Sequence, residues 1–67
     1  MVFAQRLKEL RKERQLTQYQ MAQMLDISMM AYCHYEIGDR EPRISTIIAL
    51  CNFFDVTADY LIGRTDY

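Results

Sequence analysis

Helix start and stop signals crowd the stretch between Thr17 and Gly38, and this crowding constrains the chain more than any other feature. Thr17-Gln18-Tyr19-Gln20 reads Thr-x-x-Gln. In this capping-box pattern the hydroxyl accepts from the third helical N–H while the glutamine side chain reaches back to the cap. Leu16 and Met21 stand where a hydrophobic staple would close around that cap. Ser28 offers a second N-cap, and Gly38 is the residue type that ends a helix in left-handed backbone. Two short helices, about 18–25 and 29–37, must therefore fit between these marks, joined by Asp26-Ile27 and the cap itself. Ala22 is small where one helix would cross the other. Two helices joined this way form a helix-turn-helix unit spanning about residues 17–37.

The flanking segments continue in the same style. Phe3, Leu7 and Leu10 recur at helical spacing and predict an amphipathic helix over 3–14, with Arg6, Lys8, Glu9, Lys12 and Glu13 on a solvated face. Asp39-Arg40-Glu41-Pro42-Arg43 is a charged loop, because Pro42 discourages helix in the residue before it. Ser45 is the expected cap of a fourth helix carrying Ile44, Ile47, Ile48, Leu50 and Cys51 and ending near 52–55. Thr57 caps a fifth over 58–62, with Asp59 favouring its dipole and Gly63 closing it. No stretch alternates like a strand. Sixty-seven residues make one domain, 1–67, and a content that is 51% hydrophobic supplies the core of an all-α bundle without metal or disulfide.

Composition removes several functions. The two cysteines, Cys33 and Cys51, lie in apolar helical runs and are expected to be reduced and free. No apolar run approaches the ~18 residues of a membrane span, and the N-terminus lacks a signal-peptide layout; a cytoplasmic chain without membrane contact is expected. With one histidine, no acid–base–nucleophile set, no glycine-rich phosphate loop and no ligand repeat, there is nothing to run chemistry. No enzyme activity, cofactor, metal or small-molecule substrate is therefore expected. Met29 with Cys33 and Met30 with His34 are i, i+4 pairs whose soft ligands could suit Cu(I), but no second cluster supports a metal. The formal net charge is −1, unevenly spread: residues 1–20 carry five basic and two acidic groups, residues 21–67 three and seven. Because phosphate contacts supply sequence-independent affinity, this balance predicts weak non-specific binding to nucleic acid.

Taken in order, Arg6-Leu7-Lys8-Glu9-Leu10-Arg11, Leu16-Thr17-Gln18, Met21-Ala22-x-x-Leu25, Ile27-Ser28, Tyr35-Glu36-x-Gly38, Arg40-Glu41-Pro42 and Asp59-Tyr60-Leu61-Ile62-Gly63-Arg64-Thr65 resemble the phage repressor and Cro type of helix-turn-helix regulators, often called XRE-like. The resemblance covers about residues 3–65. It implies a compact five-helix DNA-binding domain acting as a transcriptional regulator, a repressor by analogy, with the third helix in the major groove of double-stranded DNA.

Carried over position by position, it assigns base reading to Met29, Met30, Cys33 and His34, with Ala31 beside them. Gln18 would hold a phosphate at the start of helix 2, and Arg40 and Arg43 would hold the backbone from the loop after helix 3. Arg11 and Glu36 match a structural ion pair tying helix 1 to helix 3. Tyr32 stands where the family has a buried aliphatic residue and is expected in the core. The family's usual turn glycine is Asp26, and its polar reading face is here mostly apolar. Methionine and alanine can pack on thymine methyl groups, which discriminates weakly. Phe53, Phe54, Tyr60 and Tyr67 exceed what so small a core can hold. With Phe54 buried, Phe53, Tyr60 and Tyr67 would form a two-fold homodimer contact. The alternative function is a protein-interaction module on the same fold with weak or no DNA binding. The acidic balance and apolar helix 3 favour that module, whereas Gln18, Arg40 and Arg43 favour DNA.

Overall fold

The structure, a computed structural model, describes residues 2–67. Five helices follow one another: α1 Val2–Glu13, α2 Gln18–Leu25, α3 Met29–Ile37, α4 Ile44–Phe54 and α5 Ala58–Ile62. No described residue is in a strand, and no helix is long and apolar enough to cross a membrane.

Local chemistry accounts for most of the boundaries. Thr17 Oγ1 accepts from the Gln20 amide at 3.0 Å, and Gln20 Oε1 accepts from the Thr17 amide at 2.8 Å, closing a capping box. Ser28 Oγ accepts from the Ala31 amide at 3.0 Å, and Thr57 Oγ1 from the Tyr60 amide at 3.1 Å. At the other ends the chain turns left-handed: Gly38 and Gly63 have φ of 94° and 90°, and Asp26 and Asp55 of 56° and 55°. Aspartate tolerates this region better than most residues because its short polar side chain can bond locally.

Ser45 does not cap α4, contrary to expectation. The cap position is Arg43, which is extended and makes no side-chain cap bond. The helical ladder starts from the Arg43 carbonyl, which accepts from the Ile47 amide at 3.0 Å, so Ser45 already lies inside the first turn. Arg43 is itself extended, with φ of −71° and ψ of 159°, and α4 starts from it without a cap side chain.

Phe3, Leu7, Leu10, Met21, Ala22, Tyr32, Tyr35, Leu50, Phe54 and Leu61 form a single buried cluster fed by all five helices. Phe3 meets Tyr35 edge-on at 6.3 Å between ring centroids. Both cysteines are free; Cys51 is half-buried on α4, and burial raises its thiol pKa.

Two arginines, Arg6 in α1 and Arg14 just after it, fasten other helices. Arg6, expected on the solvated face, is mostly covered: its guanidinium lies 4.3 Å from the centroid of the Tyr60 ring and donates to the carbonyls of Tyr60 and Thr65. Arg14 donates to the Phe53 and Phe54 carbonyls at 3.4 and 3.3 Å. It thereby puts a cation at the negative end of α4 and packs near both phenyl rings. α1 and the residue that follows it thus clasp α5 and the end of α4.

The two glycines face different neighbours. A Cβ at Gly63 would come within 2.8 Å of Val2 Cβ, whereas one at Gly38 would lie 3.4 Å from Ala4 Cβ. Left-handed strain is common to both sites, at about 1 kcal/mol; the clash is peculiar to Gly63. Gly38→Ala is expected to cost about 1 kcal/mol and Gly63→Ala about 2–3 kcal/mol. Urea midpoints for the two variants check this, and equal losses would show that α5 is free to move off α1.

Candidate nucleic-acid interface

The candidate interface is centred on α3. Tyr32, Tyr35 and Glu36 point into the protein, so at about 100° per residue the opposite face carries Met30, Ile37, Cys33, His34 and the edge of Met29. Met30 and Ile37 are 72% and 70% exposed, and Met29 is exposed as well. Ile37 was not among the residues singled out from sequence, where it read only as the last turn before Gly38.

Each flank of this face has its own chemistry. On the Cys33 side stands the start of α2: the Cys33 thiol donates to Gln18 Oε1 at 3.4 Å. On the Ala31 side runs a groove lined by Asp26, Ile27, Ala31, Tyr35, Arg40 and Arg43, among others. Arg40 and Arg43 are exposed there with no ion-pair partner among the described residues. His34 is half-exposed, and its Nδ1 lies 2.8 Å from Asp39 Oδ1. The exposed face of α3 thus has the start of α2 on one flank and the groove with Arg40 and Arg43 on the other. Among the described residues no three His, Cys, Asp or Glu side chains converge to hold a metal ion.

A charged cluster beneath this face holds it in place. The Glu36 side chain is only 3% exposed, yet it accepts four hydrogen bonds: Arg11 Nε at 2.6 Å, Arg11 Nη2 at 3.1 Å, Gln18 Nε2 at 3.1 Å and the Tyr32 hydroxyl. Arg11 also donates to the Leu16 carbonyl at 2.9 Å. The cluster therefore joins α1, the α1–α2 turn, α2 and α3. The Gln18 side chain, assigned to a phosphate from sequence, bonds on both its oxygen and its nitrogen inside this cluster.

Burial by itself would push the Glu36 carboxyl up, but the bonds from Arg11, Tyr32 and Gln18 outweigh it and hold the group below the usual carboxylate range. The bond to Glu36 raises Arg11 above its ordinary value against the opposing effect of burial. Burial, then the bond to Glu36, raises the Tyr32 hydroxyl. No buried side-chain nitrogen or oxygen among the described residues lacks a partner.

The aromatic residues assigned to a dimer contact are not equivalent. Tyr67 is 89% exposed and Phe53 37%, whereas Tyr60 is half-buried with one ring face covered by Arg6. Ile44, Ile48 and Ile62 are also exposed. Apolar periodicity along α4 and α5 cannot tell which side of a short helix is covered.

A folded-state carboxyl pKa below the unfolded value means that unfolding takes up a proton as the pH falls. The Glu36 contribution is therefore full above about pH 5 and lost in more acidic solution. Glu36→Gln is expected to destabilise by about 2–4 kcal/mol at pH 7, because it leaves Arg11 without its counter-charge. The gap between variant and wild-type urea midpoints should narrow steadily from pH 6 to pH 3; a constant gap would mean that Glu36 is not held ionised.

The Helix-turn-helix family profile matches residues 7–61. The HTH-type transcriptional regulator YqaE of Bacillus subtilis, itself uncharacterized, is 46% identical over 91% of this chain and 53% of its own length. The cryptic phage CTXphi transcriptional repressor RstR of Vibrio cholerae O1 is 33% identical over 96% of this chain and 57% of its own. A crystal structure of a transcriptional regulator from Listeria innocua superposes with a TM-score of 0.89 at 32% identity, covering 94% of this chain and 59% of that one. This chain thus spans little more than half the length of these relatives. A match that runs from α1 into α5 across the α2–α3 turn shows that the chain belongs to the phage-repressor-like, XRE-type helix-turn-helix family.

Proposed function

We propose that this chain binds double-stranded DNA as the reading domain of a transcriptional repressor. The observation that carries this is the bare outer face of α3, bordered on one side by the start of α2 and on the other by Arg40 and Arg43. A helix displayed between two groups suited to phosphate is what major-groove docking requires.

In this arrangement Met29, Met30 and Ile37 pack on thymine methyl groups, and His34 offers the polar contact to a base edge. Cys33, whose thiol is tied to Gln18, takes the smallest part. Arg40 and Arg43 hold the backbone of one strand. The phosphate near α2 meets the first amides of the helix, which the helical ladder leaves unbonded. The Gln18 side chain, occupied by Glu36 and Cys33, serves the phosphate by fixing that helix end. Asp26 sits in the groove with the two arginines and opposes them by its charge. The chain then works in the cytoplasm, where its operator lies.

A second copy is the partner assigned to the exposed apolar residues at the end of α4 and the C-terminus. Phe53 and Tyr67, with the outer edge of Tyr60, meet their two-fold mates and place two α3 helices about 34 Å apart, one turn of DNA. Sedimentation equilibrium is expected to return a mass approaching twice the monomer's as concentration rises, and Phe53→Glu the monomer mass throughout. A wild-type chain that stays monomeric when bound to DNA would overturn the pairing.

Retention of a randomised duplex library across a salt series tests DNA binding itself. Wild type should enrich particular duplexes and weaken steeply with salt. Arg40→Ala and Arg43→Ala should each weaken binding to every duplex and lower the salt slope by about one. Asp26→Gly, which relieves left-handed strain and removes a negative charge, should raise affinity about threefold at low salt. A library left wholly unbound at low salt would defeat the proposal and favour a protein partner for α3.

A further inference from the structure

The backbone reverses at Gly38, whose left-handed conformation ends α3, and the next residue is brought back alongside the helix. Asp39 Oδ1 thereby comes within 2.8 Å of His34 Nδ1. An ionised carboxylate can only accept hydrogen bonds, so the ring nitrogen facing it must carry a hydrogen. In the neutral imidazole only one nitrogen is protonated, and the bond made by one sets the state of the other. Nε2, across the ring, is then a bare acceptor.

The rest of the α3 face makes this single atom important. Met29, Met30 and Ile37 have no strong hydrogen-bonding group, and the Cys33 thiol is engaged by Gln18. Nε2 of His34 is the polar group left to meet a base edge. In the major groove adenine N6 and cytosine N4 donate, whereas guanine N7 and O6 and thymine O4 accept.

We propose that Asp39 is a specificity-determining positioning residue. By holding His34 in the Nδ1–H form, it makes the base facing His34 one that presents an exocyclic amino group, adenine or cytosine. The proposal rests on the DNA contact of α3 put forward above. Asp39 touches no base; it acts through the histidine.

Two measurements on the full chain test this. The long-range proton–nitrogen spectrum of His34 at pH 8, without DNA, is expected to show hydrogen on Nδ1 in wild type and a shift toward the Nε2–H form in Asp39→Ala. Selection from a randomised duplex pool then compares wild type, His34→Ala, Asp39→Ala and Glu41→Ala. The position whose preference vanishes in His34→Ala should be adenine or cytosine in wild type, and Asp39→Ala should lose about fivefold of that preference there alone. Glu41→Ala removes an equal charge from the same exposed loop. Both variants should bind all duplexes more tightly, but only Asp39→Ala should change the base. Exchanging the selected adenine for hypoxanthine, or cytosine for uracil, turns the amine into a carbonyl and should weaken wild type about fivefold while leaving His34→Ala unaffected. Hydrogen on Nε2 in wild type, guanine or thymine at that position, or an unchanged preference in Asp39→Ala overturns the inference while DNA binding stands. A pool left unbound by every variant removes both together.

Discussion

A carboxylate buried at the junction of three helices organises this molecule. Glu36 has almost no contact with water, and an isolated charge there would be far too costly to keep ionised. It stays charged because a guanidinium from α1, an amide from α2 and a hydroxyl from α3 itself all donate to it. Each donor sits on a different element or turn, so satisfying the charge also sets the angle of α3 against α1 and α2. If α3 rolled about its axis, Glu36 would lose its donors from α1 and α2, and Tyr32 would leave the core. The outward face of the helix is therefore the face that the cluster does not use.

The small size of the domain explains why its edges are fastened with arginine. With α5 only five residues long, helical hydrogen bonds contribute little to holding it in place. Arg6 covers Tyr60 and gathers the carbonyls of Tyr60 and Thr65, while Arg14 gathers those closing α4. Long side chains from α1 and the turn after it do what a larger core would do elsewhere, lying against aromatic surface while satisfying backbone carbonyls. These are charges drawn out of the basic first twenty residues; among the described residues, the loop after α3 is where arginine keeps no ion-pair or hydrogen-bond partner.

Much of the architecture was legible in residues whose effect is local. Thr17 with Gln20, Ser28, Gly38, Thr57 and Gly63 act on backbone groups within four residues of themselves, so the pattern of letters is enough to place the helix ends. Ser45 misled because it is a good cap residue two positions beyond the one the chain uses: α4 starts from the extended Arg43 without a side-chain cap bond. Asp26 and Asp55 turn left-handed without glycine, an option that a search for glycine passes over. The Arg11–Glu36 pairing was suggested by family resemblance; nothing in composition or periodicity links positions so far apart. Arg6 and Gln18 were read as surface groups, since a charged or amide side chain on an amphipathic helix is usually solvated and its distant partners are invisible along the chain.

The amino-acid sequence by itself determined where most of the helices begin and end, that there are five of them, and that two short ones are joined too tightly to separate. Capping bonds and left-handed turns are short-range, so each is decided by its immediate neighbours. Only the tertiary structure decided which faces those helices keep for themselves. It turned Gln18 inward and left Ile37 bare, it used Arg6 as a clasp, and it brought Asp39 back onto His34. Those choices depend on burying Glu36 with all of its donors and on packing one small core, conditions that hold for the whole chain at once and can be read from no single segment of it.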